Sequence, residues 1–235
     1  EGFGRVLSIG PGVKNVKDND SVILHWRCGS GIQSQPPTYK WKGENLNAGW
    51  VTTFNQYAVI SENRCTRVDY DLDPDIGALF GCAITTGFGV IENNAKLKIG
   101  ESVAIFGSGG IGLNIVQAAK LKSAYPIIAV DIHKSRLDLA KKLGATHCIN
   151  SRKKNPEKEI IKILGDQGLD IFIDNTGLPN IIETGYGLVK KKGRVVLVGV
   201  PHYQSSVSLN TLPLHFGKSL IGSHGGDTIP NLDIP

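Results

Sequence analysis

"IFGSGGIGLNIVQAAKL" (residues 105–121) joins the tail of an apolar strand to a run of glycines and then to an apolar helical pattern. Alone, Gly107-x-Gly109-x-x-Gly112 is a weak signal, compatible with an ordinary tight turn. Its surroundings decide the reading. Gly107 suits the turn, and Gly109 lets backbone approach a pyrophosphate. Gly110 and Ile111 open a helix whose N–H groups and dipole favour phosphate, while Gly112 permits close helix–strand packing. The next strand ends at Asp131, 19 residues after Gly112. A carboxylate there binds both hydroxyls of an adenosine ribose and repels a 2′-phosphate, which favours NAD over NADP. Arg136, just beyond, lies where a basic residue could meet a 2′-phosphate, but Asp131 is expected to dominate, with Arg136 touching the other ribose oxygen or facing solvent. A methyltransferase also puts glycines after its first strand, but the third glycine and the further strands count against it.

Working outward, apolar strands alternate with amphipathic helices from about residue 82. "SVAIFGS", "PIIAVD", "HCIN", "LDIFIDNT", "GRVVLVGV" and "SLIGSHGG" read as strands. "KSRLDLAKKLG", "PEKEIIKILG" and "PNIIETGYGLV" read as helices. Such alternation with short links requires a parallel sheet covered on both faces, an α/β doubly wound fold. The strand ends "DNTG" (174–177) and "VGVP" (198–201) carry small residues that let a flat ring lie near backbone, which marks Thr176, Val198 and Val200.

The first 75 residues have a β-rich texture, with strands expected in "GRVLSIG", "SVILHW" and "VTTFNQYAVI". Between the last two lies "RCGSGIQSQPPTYKWKGENLNAG", expected to be a long loop, with Tyr39 and Trp41 packing to close it or, as the alternative, lining a partner surface.

The chain has 235 residues, 40% hydrophobic and 20% charged, enough for one large or two modest cores. Net charge is +5, but it is dispersed apart from "SRKK" and "KKKGR" at helix–turn junctions, so a nucleic-acid groove is not expected. Four cysteines without C-x-x-C spacing suggest reduced thiols and a cytoplasmic setting. No apolar run is long enough to span a bilayer. A chain without methionine that opens "EGFGRV" and stops at "DTIPNLDIP" reads as an internal piece of a longer protein.

"GCAITTGFGVIENNAKLKIGESVAIFGSGGIG" (81–112) strongly resembles the medium-chain, zinc-containing alcohol dehydrogenases. So do "EGFGRVLSIGPGVKNVKDNDSVI", "TTFNQYAVI", "VDIHKSRLDLAKKLGATHCIN" and "GRVVLVGVP". The resemblance implies part of a GroES-like catalytic domain over 1–78 and an NAD-binding Rossmann domain over 79–235, without the C-terminal return to the catalytic domain. It implies that Cys82 is a ligand of a catalytic zinc, with Glu1 a second-shell or transient ligand. It places Thr86 beside the nicotinamide, Val198 against its ring or carboxamide, and Trp26 in the substrate pocket. His25, next to Trp26, is expected near the same cleft.

Two departures follow. The family's other zinc ligands, a Cys and a His, would precede Glu1. The lobe of four cysteines that binds a structural zinc in many relatives is replaced by a loop holding only Cys28, so no structural zinc is expected. The resulting expectation is a zinc- and NAD-dependent oxidoreductase acting on a primary or secondary alcohol or its aldehyde or ketone, as a homo-oligomer, with this stretch alone inactive. The alternatives are a zinc-free NADPH-dependent reductase of the same superfamily and a non-catalytic nucleotide-binding module.

Overall fold

A computed structural model describes residues 1–47 and 49–235. The chain forms two compact units, Glu1–Thr85 with Thr228–Pro235, and Thr86–Asp227.

In the first unit, β1 (Gly2–Arg5), β2 (Ser21–Leu24) and β5 (Cys65–Arg67) form an antiparallel sheet with β2 in the middle. Its small core joins Ile23, Val68 and Ile234, with Phe3, Leu72 and Phe80 against them. Helix α1 (Pro74–Leu79) is capped by Asp73, whose side chain accepts the Asp75 N–H at 2.8 Å. It lies so close to β1 that a Cβ on Gly77 would come within 2.5 Å of the Phe3 ring. That packing carries the unit past residue 78, the boundary expected from sequence. The division falls at 85/86, within helix α2 (Ala83–Gly89). The chain also returns at Thr228, and Ile234 beyond α8 (Pro230–Asp233) enters the first core.

Two expectations for this unit need correction. The long loop contains an antiparallel ribbon, β3 (Thr38–Trp41) with β4 (Glu44–Asn47). Lys42 and Gly43 both have positive φ (51° and 86°), the two-residue turn whose twist matches paired strands. Trp41 is 59% exposed, with the Lys42 ammonium over its ring, so it does not pack the loop shut. "VTTFNQYAVI" forms no strand: the Val59 N–H is donated to the Tyr39 hydroxyl at 2.8 Å, and Phe54 is fully exposed. β-propensity makes a strand only where a neighbour offers a ladder.

The second unit is a six-stranded parallel sheet built from β6 (Val103–Phe106), β7 (Ile127–Asp131), β8 (His147–Asn150), β9 (Leu169–Asp174), β10 (Val189–Leu197) and β11 (Ser219–Gly222). Their spatial order is β8-β7-β6-β9-β10-β11. Side chains alternate between two cores. Val103, Ile105, Ile127 and Ala129 meet α3 (Gly110–Leu121) and α4 (Lys134–Leu143) on one face. Ala104, Phe106, Ile128 and Val130 meet α5 (Pro156–Leu164) and α6 (Pro179–Leu188) on the other. The doubly wound parallel expectation holds. The short α7 (Leu212–His215) precedes the edge strand β11. Sequence order reverses between β6 and β9, opening the crevice beyond their C-terminal ends where ligands of such sheets bind.

Candidate cofactor and metal sites

The glycine run lies at this crevice. Gly107, just past β6, has φ +92°, a region that L side chains rarely enter. A Cβ on Gly112 would lie 2.0 Å from the Gly107 carbonyl oxygen, so only glycine lets α3 start this close to the turn. Gly109 and Gly110 differ: a Cβ on either would meet nothing within 4 Å. Their lack of side chains serves open space. Gly109 also caps α3 without any side-chain hydrogen bond, leaving the first-turn N–H groups, Ile111 among them, for an anion.

Asp131 ends β7 with its side chain buried. Oδ2 accepts the Ser108 N–H and Oδ1 the His133 N–H, both at 2.8 Å. Arg136, half exposed, brings NH1 to 3.6 Å from Oδ2. The structure thus joins Asp131, Arg136 and the glycine run, and gives the carboxylate a second task of fixing the turn.

On the other side of the switch point, Asp174 is fully buried. Its Oδ1 accepts the Thr176 N–H at 2.9 Å and hydroxyl at 2.6 Å, and Oδ2 the Gly177 N–H at 2.9 Å. Its backbone oxygen accepts from Val198 and Gly199 at 2.8 and 2.9 Å. A Cβ on Gly199 would lie 2.4 Å from the Gly177 nitrogen, so the loops carrying Thr176 and Val198 are pressed together. Val200 follows, 92% exposed. Asp174 was not singled out in the sequence, although an Asp two residues before a Thr is the signal of such a turn. Thr86 is buried on α2, with the 225–227 turn against its carbonyl: a Cβ on Gly226 would lie 2.7 Å from that oxygen.

In the first unit, Glu1 lies against Gly81, the residue before Cys82. A Cβ on Gly81 would lie 2.6 Å from the Glu1 Cβ and 2.4 Å from the Leu24 carbonyl. The exposed Glu1 is tied down by the Thr53 hydroxyl, which donates to its backbone carbonyl at 2.7 Å. Cys82 is half buried. Structural zinc takes four ligands and catalytic zinc three plus an open position. Among the described residues no group of three His, Cys, Asp or Glu could hold a metal. Cys82 and Glu1 therefore do not constitute a zinc centre by themselves.

Trp26 is partly buried, and the buried Arg64 guanidinium donates to its carbonyl. Arg64 Nε also donates to Gln33 Oε1 at 3.2 Å. His25 is not a cleft residue. It is 1% exposed, Nδ1–H donates to the Arg27 carbonyl at 2.7 Å, and Nε2 accepts from the Thr66 hydroxyl at 2.9 Å. Burial holds its pKa below the ordinary imidazole value; the Arg27 bond opposes this, and the Arg64 charge adds to it.

The organiser that sequence reasoning missed is Glu62. Its Oε1 accepts the N–H groups of Lys14 at 2.6 Å and Asn15 at 2.7 Å, and its Oε2 that of Ile32 at 2.8 Å. One carboxylate thus ties the β1–β2 connection to the loop after Trp26. No local pattern announces a residue whose three partners lie 30 to 48 positions away.

With this geometry in place, residues 110–233 match the pattern of the zinc-binding dehydrogenase family. An alcohol dehydrogenase zinc-binding domain protein from Burkholderia ambifaria superposes with TM-score 0.89 at 31% identity, over 99% of this chain and 70% of its own. This chain belongs to the zinc-binding dehydrogenases. Benzyl alcohol dehydrogenase from Acinetobacter calcoaceticus is similar to the same degree, with TM-score 0.88 and 31% identity over 100% of this chain and 70% of its own. S-(hydroxymethyl)glutathione dehydrogenase of Escherichia coli O139:H28 is 29% identical across the whole chain and 71% of its own length. This zinc-binding dehydrogenase is therefore an enzyme of the alcohol dehydrogenase type. No helix among its described residues is long and apolar enough to cross a membrane.

Proposed function

We propose that this protein transfers a hydride between NAD and a primary or secondary alcohol, or the matching aldehyde or ketone. The observation that carries the reading is the uncapped α3 N-terminus behind a glycine turn, with a buried Asp131 at the end of the next strand. The residues fit the dinucleotide. Gly107, Gly109, Gly110, Ile111 and Gly112 would cradle the pyrophosphate, Asp131 and Arg136 would hold the adenosine ribose, and Thr176, Val198 and Val200 would support the nicotinamide half, with Thr86 beside it. When bound, NAD supplies the hydride acceptor. The protein's part is orientation. Asp174 sets the 175–177 turn, the Gly177–Gly199 contact presents a flat backbone surface, and Trp26 shapes the alcohol pocket.

Cys82 and Glu1 are proposed as zinc ligands, Glu1 the second-shell or transient one. Two donors do not close a site, so no step is routed through the metal. No structural zinc is proposed, since the corresponding loop holds only Cys28. A cytoplasmic setting, a homo-oligomer joined at the unpaired edge of β11, and no nucleic-acid or membrane partner complete the reading.

The test, on the protein isolated from its own cells, is deuterium transfer to an aldehyde from NADH dideuterated at nicotinamide C4. Deuterium on the carbinol carbon of the product supports hydride transfer. An unlabelled product, or none with any alcohol or carbonyl tried, contradicts it.

A further inference from the structure

Asn175, the residue after β9, occupies the centre of the switch point. Its N–H donates to the Phe106 carbonyl at 2.9 Å, and its Nδ2 reaches the Gly107 carbonyl at 3.4 Å. Three glycines make room for it, Gly107 and Gly112 from the β6–α3 segment and Gly199 from the connection after β10. A Cβ on Gly107 would lie 3.2 Å from the Asn175 Cβ, one on Gly112 3.6 Å from Nδ2, and one on Gly199 2.6 Å from the Asn175 carbonyl carbon. The other end of the carboxamide is unsatisfied: Oδ1 is buried and accepts no hydrogen bond.

We propose that Asn175 is a positioning residue for the dinucleotide, its carboxamide holding the Gly107 carbonyl so that the following N–H groups are aimed at the pyrophosphate. This rests on the functional reading above. Gly107 sits in the left-handed region, where little but its neighbours defines the peptide plane, and the Asn175 amide is the side-chain group that grips its carbonyl. At 3.4 Å the grip is stretched beyond the usual N–H···O range.

The orphaned Oδ1 separates this role from a structural one. A buried acceptor without a donor destabilises the free fold. An apolar residue here would relieve that cost, so the amide serves binding at the expense of stability, a trade-off found at functional sites.

The experiment compares wild type, Asn175→Ala and Asn175→Asp by NADH fluorescence titration and by thermal melting of the cofactor-free protein. Asn175→Ala is expected to weaken NADH binding about tenfold, the worth of one well-placed hydrogen bond, without lowering the cofactor-free melting temperature. Asn175→Asp keeps the shape but loses the donor and adds negative charge near phosphate, so it is expected to weaken binding at least as much. NADH affinity within twofold of wild type in both variants would overturn the proposal. So would a melting temperature that falls along with affinity, or an Asn175→Ala protein that does not fold, since either makes Asn175 a structural prop. Absence of NADH binding by wild type is a different result: it overturns the proposed function itself, and the role of Asn175 with it.

Discussion

Asp131 accepts the Ser108 N–H on Oδ2 at 2.8 Å, so the carboxylate that ends β7 also fixes the turn that follows β6. Cofactor recognition and loop geometry therefore share one side chain. Asp131→Ala is expected to leave the Ser108 and His133 N–H groups without acceptors, costing roughly 1–3 kcal/mol for each that stays buried. NADH affinity should fall at least about tenfold, since the ribose loses a charged acceptor. Melting and NADH titration of one sample measure both. Loss of affinity with unchanged stability would show that the turn does not depend on Asp131.

The glycines of the run should separate by variant. Gly112→Ala places a methyl 2.0 Å from the Gly107 oxygen, a backbone clash expected to cost about 1–3 kcal/mol or more. Gly109→Ala meets open space at φ −78°, so the free protein should melt normally. NADH binding should nevertheless weaken, because the methyl occupies the approach to the pyrophosphate. Equal melting of the two variants would contradict the packing role of Gly112.

Glu62 and His25 contribute to the acid limit of stability, together with Glu159 and Asp170, whose carboxyls are also held below their ordinary values. Bonds from the Lys14, Ile32 and Asn15 N–H groups hold the Glu62 carboxyl below its ordinary value. Its contribution is therefore fully present above about 4.5 and is lost as pH falls through the lower, folded value. His25 is held below 6.5, chiefly by burial, so the unfolded chain takes up a proton first. Stability then declines as pH drops from about 6.5 toward the folded value. The melting temperature should fall on acidification in two stages. Glu62→Gln should shrink the lower stage and leave the upper, and a lower stage of unchanged size would show that Glu62 does not contribute to it.

Thiol labelling should rank the cysteines. Burial, with the Glu62 charge adding to it, pushes the Cys65 thiol up to about 12. Burial also raises Cys148, whose Sγ points at the Leu137 carbonyl at 3.4 Å. Cys28 stands exposed beside Gln33. At mildly alkaline pH, Cys28 should be alkylated first and Cys65 only on unfolding. Prompt labelling of Cys65 in the folded protein would contradict its placement.

Local signals carried most of the second unit. The glycine run, the strand before it and Asp131 lie within thirty residues, and the alternation of β6 and β7 between two cores follows directly from their apolar runs. The first unit was less legible because its order comes from distant polar contacts. Glu62 reaches three N–H groups across two loops, and Thr66 turns His25 into a satisfied interior residue. The β3–β4 ribbon did carry a local signal, the Lys42-Gly43 pair inside an alternating stretch. The residues at 51–60 carried strand composition without a strand partner.

The central claim is an NAD site built on the glycine run and Asp131, and parallel titration with NADH and NADPH tests it most directly. NADH should bind at least about tenfold more tightly than NADPH, because the Asp131 carboxylate accepts ribose hydroxyls and repels a 2′-phosphate. Tighter binding of NADPH would contradict the role given to Asp131, and binding of neither would contradict the cofactor site altogether.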